Sequence, residues 1–178
     1  MAVMLSQDEL VWKEPDSQPE RSWTGCDIGR FRDMTAIVQV SLRKGVYWVD
    51  SIKTMGGAQY RTQLSEIGKA ARSAPLFGGG YIDAGGIGSA VAEFAHQELD
   101  SRLKPFTFTA GSKTQAYEFV RHLAKDGRLF FQKDAREKAA EDIQNVYRIV
   151  TPDGQIRYRA DRNANGHGDV VSALVLAL

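Results

Sequence analysis

Three apolar, β-rich runs at residues 23–28, 35–42 and 46–52 follow one another with almost nothing between them. The Arg43-Lys44-Gly45 connection has the length of a hairpin loop, so the spacing predicts a three-stranded antiparallel meander. Behind it the period changes. Tyr60, Leu64, Ile67 and Ala71 fall at i, i+4, i+7 and i+11, one face of a helix that ends near Ser73-Ala74-Pro75. Gly80-Tyr81-Ile82-Asp83 then reads as a short strand broken at Ala84-Gly85-Gly86, and a second helix follows with Ile87, Val91, Phe94 and Ala95 inward. Phe106-Thr107-Phe108-Thr109 is the next strand. A third helix, capped by Ser112, carries Ala116, Phe119, Val120 and Leu123 and closes at Asp126-Gly127. Arg128-Leu129-Phe130-Phe131 is a short extended piece. Residues 135–150 read as a helix with Ile143, Val146, Tyr147 and Val150 inward. Thr151-Pro152-Asp153-Gly154 is a turn, and residues 155–159 alternate as a strand. The last helix, residues 169–178, is apolar almost all round and is therefore expected to be buried. The order βββ-α-β-α-β-α, an insertion and a final helix predicts an α/β fold: a mixed sheet, three antiparallel strands then parallel ones, with helices on both faces.

At 178 residues the chain has the size of one domain. Residues 1–20 lack any sustained period and contain Pro15 and Pro19, so they are expected to be a linker or remnant preceding a domain at 21–178. Charge is uneven: the first twenty residues carry a net −4, residues 21–100 a net +1 and residues 101–178 a net +4. A total of +1 does not announce a nucleic-acid binder. A carboxylate cluster at the centre of a metal-dependent nuclease would mask a basic rim, so charge alone decides nothing. A single cysteine, Cys26, forbids an internal disulfide and leaves no Cys cluster for zinc. His96, His122 and His167 are scattered. No apolar run approaches the ~18 residues of a membrane span, and residues 5–20 are too polar and acidic for a signal peptide, which points to the cytosol.

Three aspartates occupy unusual places. Asp27 lies inside the first apolar strand, Asp83 ends a buried strand before Gly85-Gly86, and Asp169 opens a helix whose only other polar side chain is Ser172. A carboxylate among apolar neighbours is costly unless it is paired or binds a cation. Three of them at element ends suggest a site for hard ions, Mg²⁺ or Mn²⁺, rather than zinc. Two such ions ~4 Å apart would serve phosphodiester cleavage. Plainer readings stand beside this one: Asp83 as a turn former, Asp169 as a helix N-cap, Asp33 closing a turn through an Asx bond, and His167 as a loop histidine. Asp27 has no visible structural task.

Asp27-Ile28-Gly29 with Asp33-Met34-Thr35 resembles the first-strand motif of RNase H-like nucleases. The similarity is closer to the C-terminal nuclease domain of tailed-phage terminase large subunits. Tyr81-Ile82-Asp83-Ala84-Gly85-Gly86-Ile87-Gly88 resembles the second motif of that family. His167-Gly168-Asp169 with Ala173-Leu174-Val175-Leu176-Ala177 resembles its third, and Gly111-Ser112-Lys113 also fits. The resemblance covers residues 23–178. It implies an RNase H-like mixed sheet and a metal-dependent endonuclease that cuts concatemeric viral double-stranded DNA during genome packaging. It also implies two Mg²⁺ or Mn²⁺ ions on Asp27, Asp83 and Asp169, His167 as a near neighbour or proton carrier, and Asp33 in support. The implied partners are DNA, the ATPase domain of the full-length protein, the portal and the small terminase subunit. The implied setting is the host cytoplasm, on the assembling capsid, with no membrane. No Gly-x-x-x-x-Gly-Lys-[Ser/Thr] is present in this sequence, so the motor is not part of it.

Arg157 and Arg159 share one face of their strand and, with Arg162, Lys133, Arg136 and Lys138, are candidates for a phosphate track; a solvated strand face explains them equally well. Lys113 is a further candidate, and Arg30 and Arg32, in the turn beside Asp27, are better placed to touch phosphate. Competing classes are a Holliday-junction resolvase or other RNase H-like nuclease, an actin-like ATPase domain, for which the chain is too short, and a non-catalytic DNA- or protein-binding module.

Overall fold

A computed structural model describes residues 1–29, 33–86, 88–161 and 168–178. The elements are β1 (Ala2–Val3), β2 (Arg21–Asp27), β3 (Met34–Arg43), β4 (Val46–Gly56), α1 (Tyr60–Ser73), β5 (Phe77–Asp83), α2 (Gly88–Phe94), β6 (Leu103–Phe106), α3 (Ala110–Lys125), β7 (Leu129–Phe131), α4 (Lys133–Gln144), β8 (Val146–Val150), β9 (Ile156–Ala160) and α5 (Asp169–Ala177). Helix α2 runs on into one π-helical turn, Ala95–Leu99.

Six strands form the main sheet in the order β6-β5-β2-β3-β4-β7. β2, β3 and β4 pair antiparallel, as the short connections predict, and β5, β6 and β7 add in parallel. Side chains alternate across the pleat and split the core in two. Cys26, Ile37 and Ile82 face one side, where they pack with Ile67 and Ala71 of α1 and Val91 and Ala92 of α2. Ala36, Val38 and Val40 face the other, with Val120 and Leu123 of α3, Ala139 and Ile143 of α4 and most of α5. Helices therefore cover both faces, in agreement with the sequence reading. Every residue of α5 is buried, the outcome its unbroken apolarity requires. No helix of the described residues is long and apolar enough to cross a membrane.

Local pattern and structure part company in several places. Residues 146–150 form a strand instead of continuing α4. β8 pairs with β9 and with β1 in a second, three-stranded antiparallel sheet, β1-β8-β9. Phe94 and Phe119, expected inward, are 50% and 44% exposed. Tyr117 and Ala124 take the buried stripe of α3 instead. Its N-cap lies three residues before the expected one: Thr109 is the N-cap, and the side chains and backbone N–H groups of Thr109 and Ser112 close a reciprocal capping box. The strand expected at residues 106–109 lies at Leu103–Phe106. The first twenty residues, read from sequence as a segment outside the domain, contribute Met4, Leu5 and Leu10 to its core. Arg136 of α4 donates to the Leu10 carbonyl at 3.1 Å and fastens that segment down.

Candidate metal centre

The site forms where β2 and β5 end. Cys26 pairs with Ile82 in parallel register, so Asp27 and Asp83, one residue further on each strand, stand side by side and point to the same face, a strand spacing of ~4.8 Å apart. That face carries α5. Helix α5 crosses β2 closely because Gly25 has no side chain: a Cβ there would lie 2.0 Å from the Ala173 carbonyl oxygen. The crossing brings Asp169, in the first turn of α5, over the ends of the two strands.

The convergence has an electrostatic consequence. The Asp27 carboxyl is pushed up to about 8, first by burial, then by the negative charges of Asp169 and Asp83; a hydrogen bond from Ser172 and the Lys113 ammonium pull the other way. Like charges brought together among apolar neighbours hold one member of a group protonated unless a cation balances them. Among the described residues no three His, Cys, Asp or Glu side chains close tightly enough to hold an ion by themselves. The donors are all oxygen, which suits a hard divalent cation that keeps waters and takes phosphate oxygens as further ligands. The residues present therefore fit such an ion.

Local contacts separate structural tasks from the rest. The turn after Asp27 is clamped by a buried polar cluster: Thr35 Oγ1 accepts from the Gly29 N–H at 3.0 Å, and Gln63 Nε2 donates to the Gly29 carbonyl at 2.8 Å and to Thr35 Oγ1 at 3.0 Å. Gly29 is needed because a Cβ there would meet the Met34 carbonyl oxygen at 2.4 Å. Asp83 does form the Asx contact expected of a turn residue, accepting the Gly85 N–H at 2.7 Å on Oδ1. Asp169, by contrast, is not the N-cap of α5. Gly168 holds that position, and the capping oxygens come from α4, where Asp142 Oδ1 accepts from the Gly168 N–H at 2.9 Å and Oδ2 from the Val171 N–H at 3.1 Å. Removing them in Asp142→Ala is expected to cost ~1–2 kcal/mol, the value of an N-cap, and to lower Tm by ~2–8 °C for a domain of this size. Thermal unfolding followed by circular dichroism checks this, and Asp142→Asn should recover part of the loss.

Lys113 lies near Asp27 and holds its ammonium 5.5 Å from the centroid of the Tyr117 ring. Arg157 and Arg159 are exposed on the outer face of β9, as expected from the alternation, with Arg159 3.6 Å from Asp161. Arg136 and Lys138 are engaged elsewhere: Arg136 holds the Leu10 carbonyl, and Lys138 donates to the Ile52 carbonyl at 2.9 Å. Asp33 opens the approach to β3. Arg30, Arg32, Arg162 and His167 lie outside the described residues. Sequence reasoning missed Gln63, Tyr117 and Asp142, whose roles arise from contacts across the fold. It noted Ser172 without giving it a task, although a lone Ser three residues after Asp169 in an apolar helix shares the face that meets Asp27.

A mixed six-stranded sheet with helices on both faces, and carboxylates gathered where β2 and β5 end beneath α5, is the RNase H-like architecture. The chain belongs to the Terminase RNaseH-like domain family, whose sequence profile matches residues 24–178. Among solved structures it is similar to the large terminase nuclease of thermophilic phage G20c with bound magnesium: 22% identity, TM-score 0.74, covering 99% of this chain and 96% of that one. It is likewise similar to the Thermus phage P74-26 large terminase nuclease domain, with 19% identity, TM-score 0.71, and 99% and 94% covered. The large terminase of a further thermophilic bacteriophage aligns at 12% identity and TM-score 0.73, over 97% of this chain but 43% of that longer protein. A comparison with curated proteins gives no match.

Proposed function

We propose that this domain is a metal-dependent endodeoxyribonuclease acting on double-stranded DNA during viral genome packaging, with Asp27, Asp83 and Asp169 as the ligands of two Mg²⁺ or Mn²⁺ ions. The observation that carries the reading is the convergence of three carboxylates from three elements on one buried spot; burial first, and then the charges of Asp169 and Asp83, raise the proton affinity of Asp27. The G20c nuclease has been solved with magnesium and with cobalt, which supports a divalent ion here. Two such ions supply an activated water and neutralise the departing oxygen in phosphodiester hydrolysis.

The chain's own residues do the rest. Asp27 and Asp83 present their oxygens from rigid strand ends, and Asp169 presents its own from a helix end tied to α4 by Asp142. Lys113 balances part of the negative charge and is placed to meet a DNA phosphate. Arg157 and Arg159, with Arg30 and Arg32, contact the backbone, which positions DNA without reading its sequence. Asp33 supports the turn beside Asp27, and His167, two residues before Asp169, is a ligand or proton carrier. In the full-length protein an ATPase domain precedes this one, and the portal and small terminase subunit are its partners on the assembling capsid in the host cytoplasm.

Cleavage of supercoiled plasmid in Mn²⁺, Mg²⁺ and EDTA tests the proposal, with Asp83→Asn beside the wild type. Nicking and linearisation are expected with metal, absent in EDTA and reduced at least ~1,000-fold in the variant, the scale of losing a principal electrostatic element. Metal-independent cleavage, or a fully active, folded Asp83→Asn, overturns it.

A further inference from the structure

We propose that Tyr117 and Ser172 form a buried donor chain that aims the Asp27 carboxylate for metal binding, which makes both of them positioning residues. The proposal rests on the metal-site reading above. Tyr117 is 2% exposed, and its hydroxyl oxygen lies 3.0 Å from Ser172 Oγ. Ser172 lies beside Asp27: Ala173, the next residue of α5, packs on Gly25, two residues before Asp27 on the same strand face, and the Ser172 hydroxyl lowers the proton affinity of the Asp27 carboxyl. Direction follows from counting protons. A serine hydroxyl has one hydrogen to give, and an ionised carboxylate only accepts. In the proposed chain Ser172 gives its hydrogen to the ionised Asp27, and the contact at 3.0 Å then runs from the Tyr117 O–H to Ser172 Oγ. The chain is Tyr117→Ser172→Asp27, every donor used.

A buried tyrosine hydroxyl always needs a partner; three further features favour more than that. Ser172 stands three residues after Asp169 in α5, on the same helix face, so one element delivers both a carboxylate and the donor that orients its neighbour. The Tyr117 ring packs against Tyr158 of β9, centroids 5.0 Å apart, and Tyr158 is itself held by Glu118 through a hydrogen bond of 2.5 Å. That stack fixes the direction of the phenol. Lys113 sits over the same ring, and a cation against a π face draws electron density from it and strengthens the O–H as a donor. Partners behind a metal ligand set its orientation, and losing one typically costs ~10–100-fold in metal affinity or activity.

The test is Mn²⁺ affinity of the 178-residue chain by isothermal titration, alongside melting in EDTA, for the wild type, Tyr117→Phe, Ser172→Ala, Ser172→Thr, the double variant and Asp27→Asn. Tyr117→Phe keeps the ring and its stack and is expected to melt in EDTA within ~3 °C of the wild type, yet bind Mn²⁺ ~10-fold more weakly. Ser172→Ala should lose as much or more, and Ser172→Thr should retain affinity. Because the two act in series, adding Tyr117→Phe to Ser172→Ala should cost nothing further. Affinities within twofold of wild type for both single variants, with binding abolished in Asp27→Asn, overturn the donor chain and leave the metal site standing. Unchanged binding in Asp27→Asn overturns the metal site and the chain with it. Additive losses from Tyr117 and Ser172 mean separate, packing-related effects and also overturn it.

Discussion

Asp27→Asn should yield a protein that no longer cleaves DNA and yet unfolds at a higher temperature than the wild type in EDTA. Both effects have one cause. Burial and the charges of Asp169 and Asp83 push the Asp27 carboxyl up to about 8, while in the unfolded chain it returns to the ordinary value near 4. Between those values the folded protein retains a proton that the unfolded chain has released, so stability falls as pH rises through this window. Below pH ~4 both states are protonated and Asp27 costs nothing; above pH ~8 both are ionised and the full cost is in place. An asparagine has the same shape and never ionises. The gap in Tm between Asp27→Asn and wild type should therefore open from near zero at pH 4 and level off above pH 8, reaching at least ~5 °C. A divalent cation should reverse the order, because it stabilises the wild type by mass action and has lost a ligand in the variant. Differential scanning fluorimetry across pH, with Mn²⁺ and with EDTA, reads all of this. A variant less stable than wild type in EDTA at pH 8 would remove the like-charge account of the site.

Gly25→Ala is expected to be severely damaging for the addition of one methyl. The added carbon would stand 2.0 Å from the Ala173 carbonyl oxygen, 2.5 Å from the Ala177 nitrogen and 2.8 Å from the Leu176 carbonyl carbon. All three are backbone atoms of α5, so no rotamer change relieves the clash; the helix must lift off β2. Lifting it strips apolar contacts from α5 and carries Asp169 and Ser172 away from Asp27. A cost above ~4 kcal/mol belongs to overpacking of this severity, which lowers Tm by ~8–16 °C or prevents folding. Gly56→Ala, where a Cβ meets nothing within 4 Å, is the matched control and should be near neutral. Chemical denaturation of both variants decides; a Gly25→Ala protein as stable as its control would mean that α5 packs differently from the structure described.

Much of the fold was legible from periodicity, and the reasons it failed are specific. Residues 46–52 and 60–71 carry clean periods because each element exposes one face and buries another. Residues 146–150 misled because Ile143, Val146, Tyr147 and Val150 fit helical spacing, while the alternative is settled by partners far away in sequence, β9 and β1. Met4, Leu5 and Leu10 show no period since each is buried singly, under a chain that follows the surface and is pinned by Arg136. Phe94 and Phe119 lie on helix faces that local hydrophobicity marks as inward, but among the described residues they stay about half exposed.

The site divides in the same way. Asp27, Asp83 and Asp169 stand out in the sequence because a carboxylate within an apolar strand or helix contradicts its surroundings, and that contradiction is visible locally. Whether Asp169 was only a cap was not, since the answer lies in Asp142, on another helix. Tyr117 looks like any half-apolar core residue until its hydroxyl is seen beside Ser172. The sequence by itself determined which segments alternate, which helix is buried and which acids are out of place, because burial leaves a periodic trace in the residues themselves. Only the tertiary structure decided which acids meet, what caps α5 and what stands behind Asp27. Those are contacts between elements distant in the chain, and a single sequence holds no record of the distance between them.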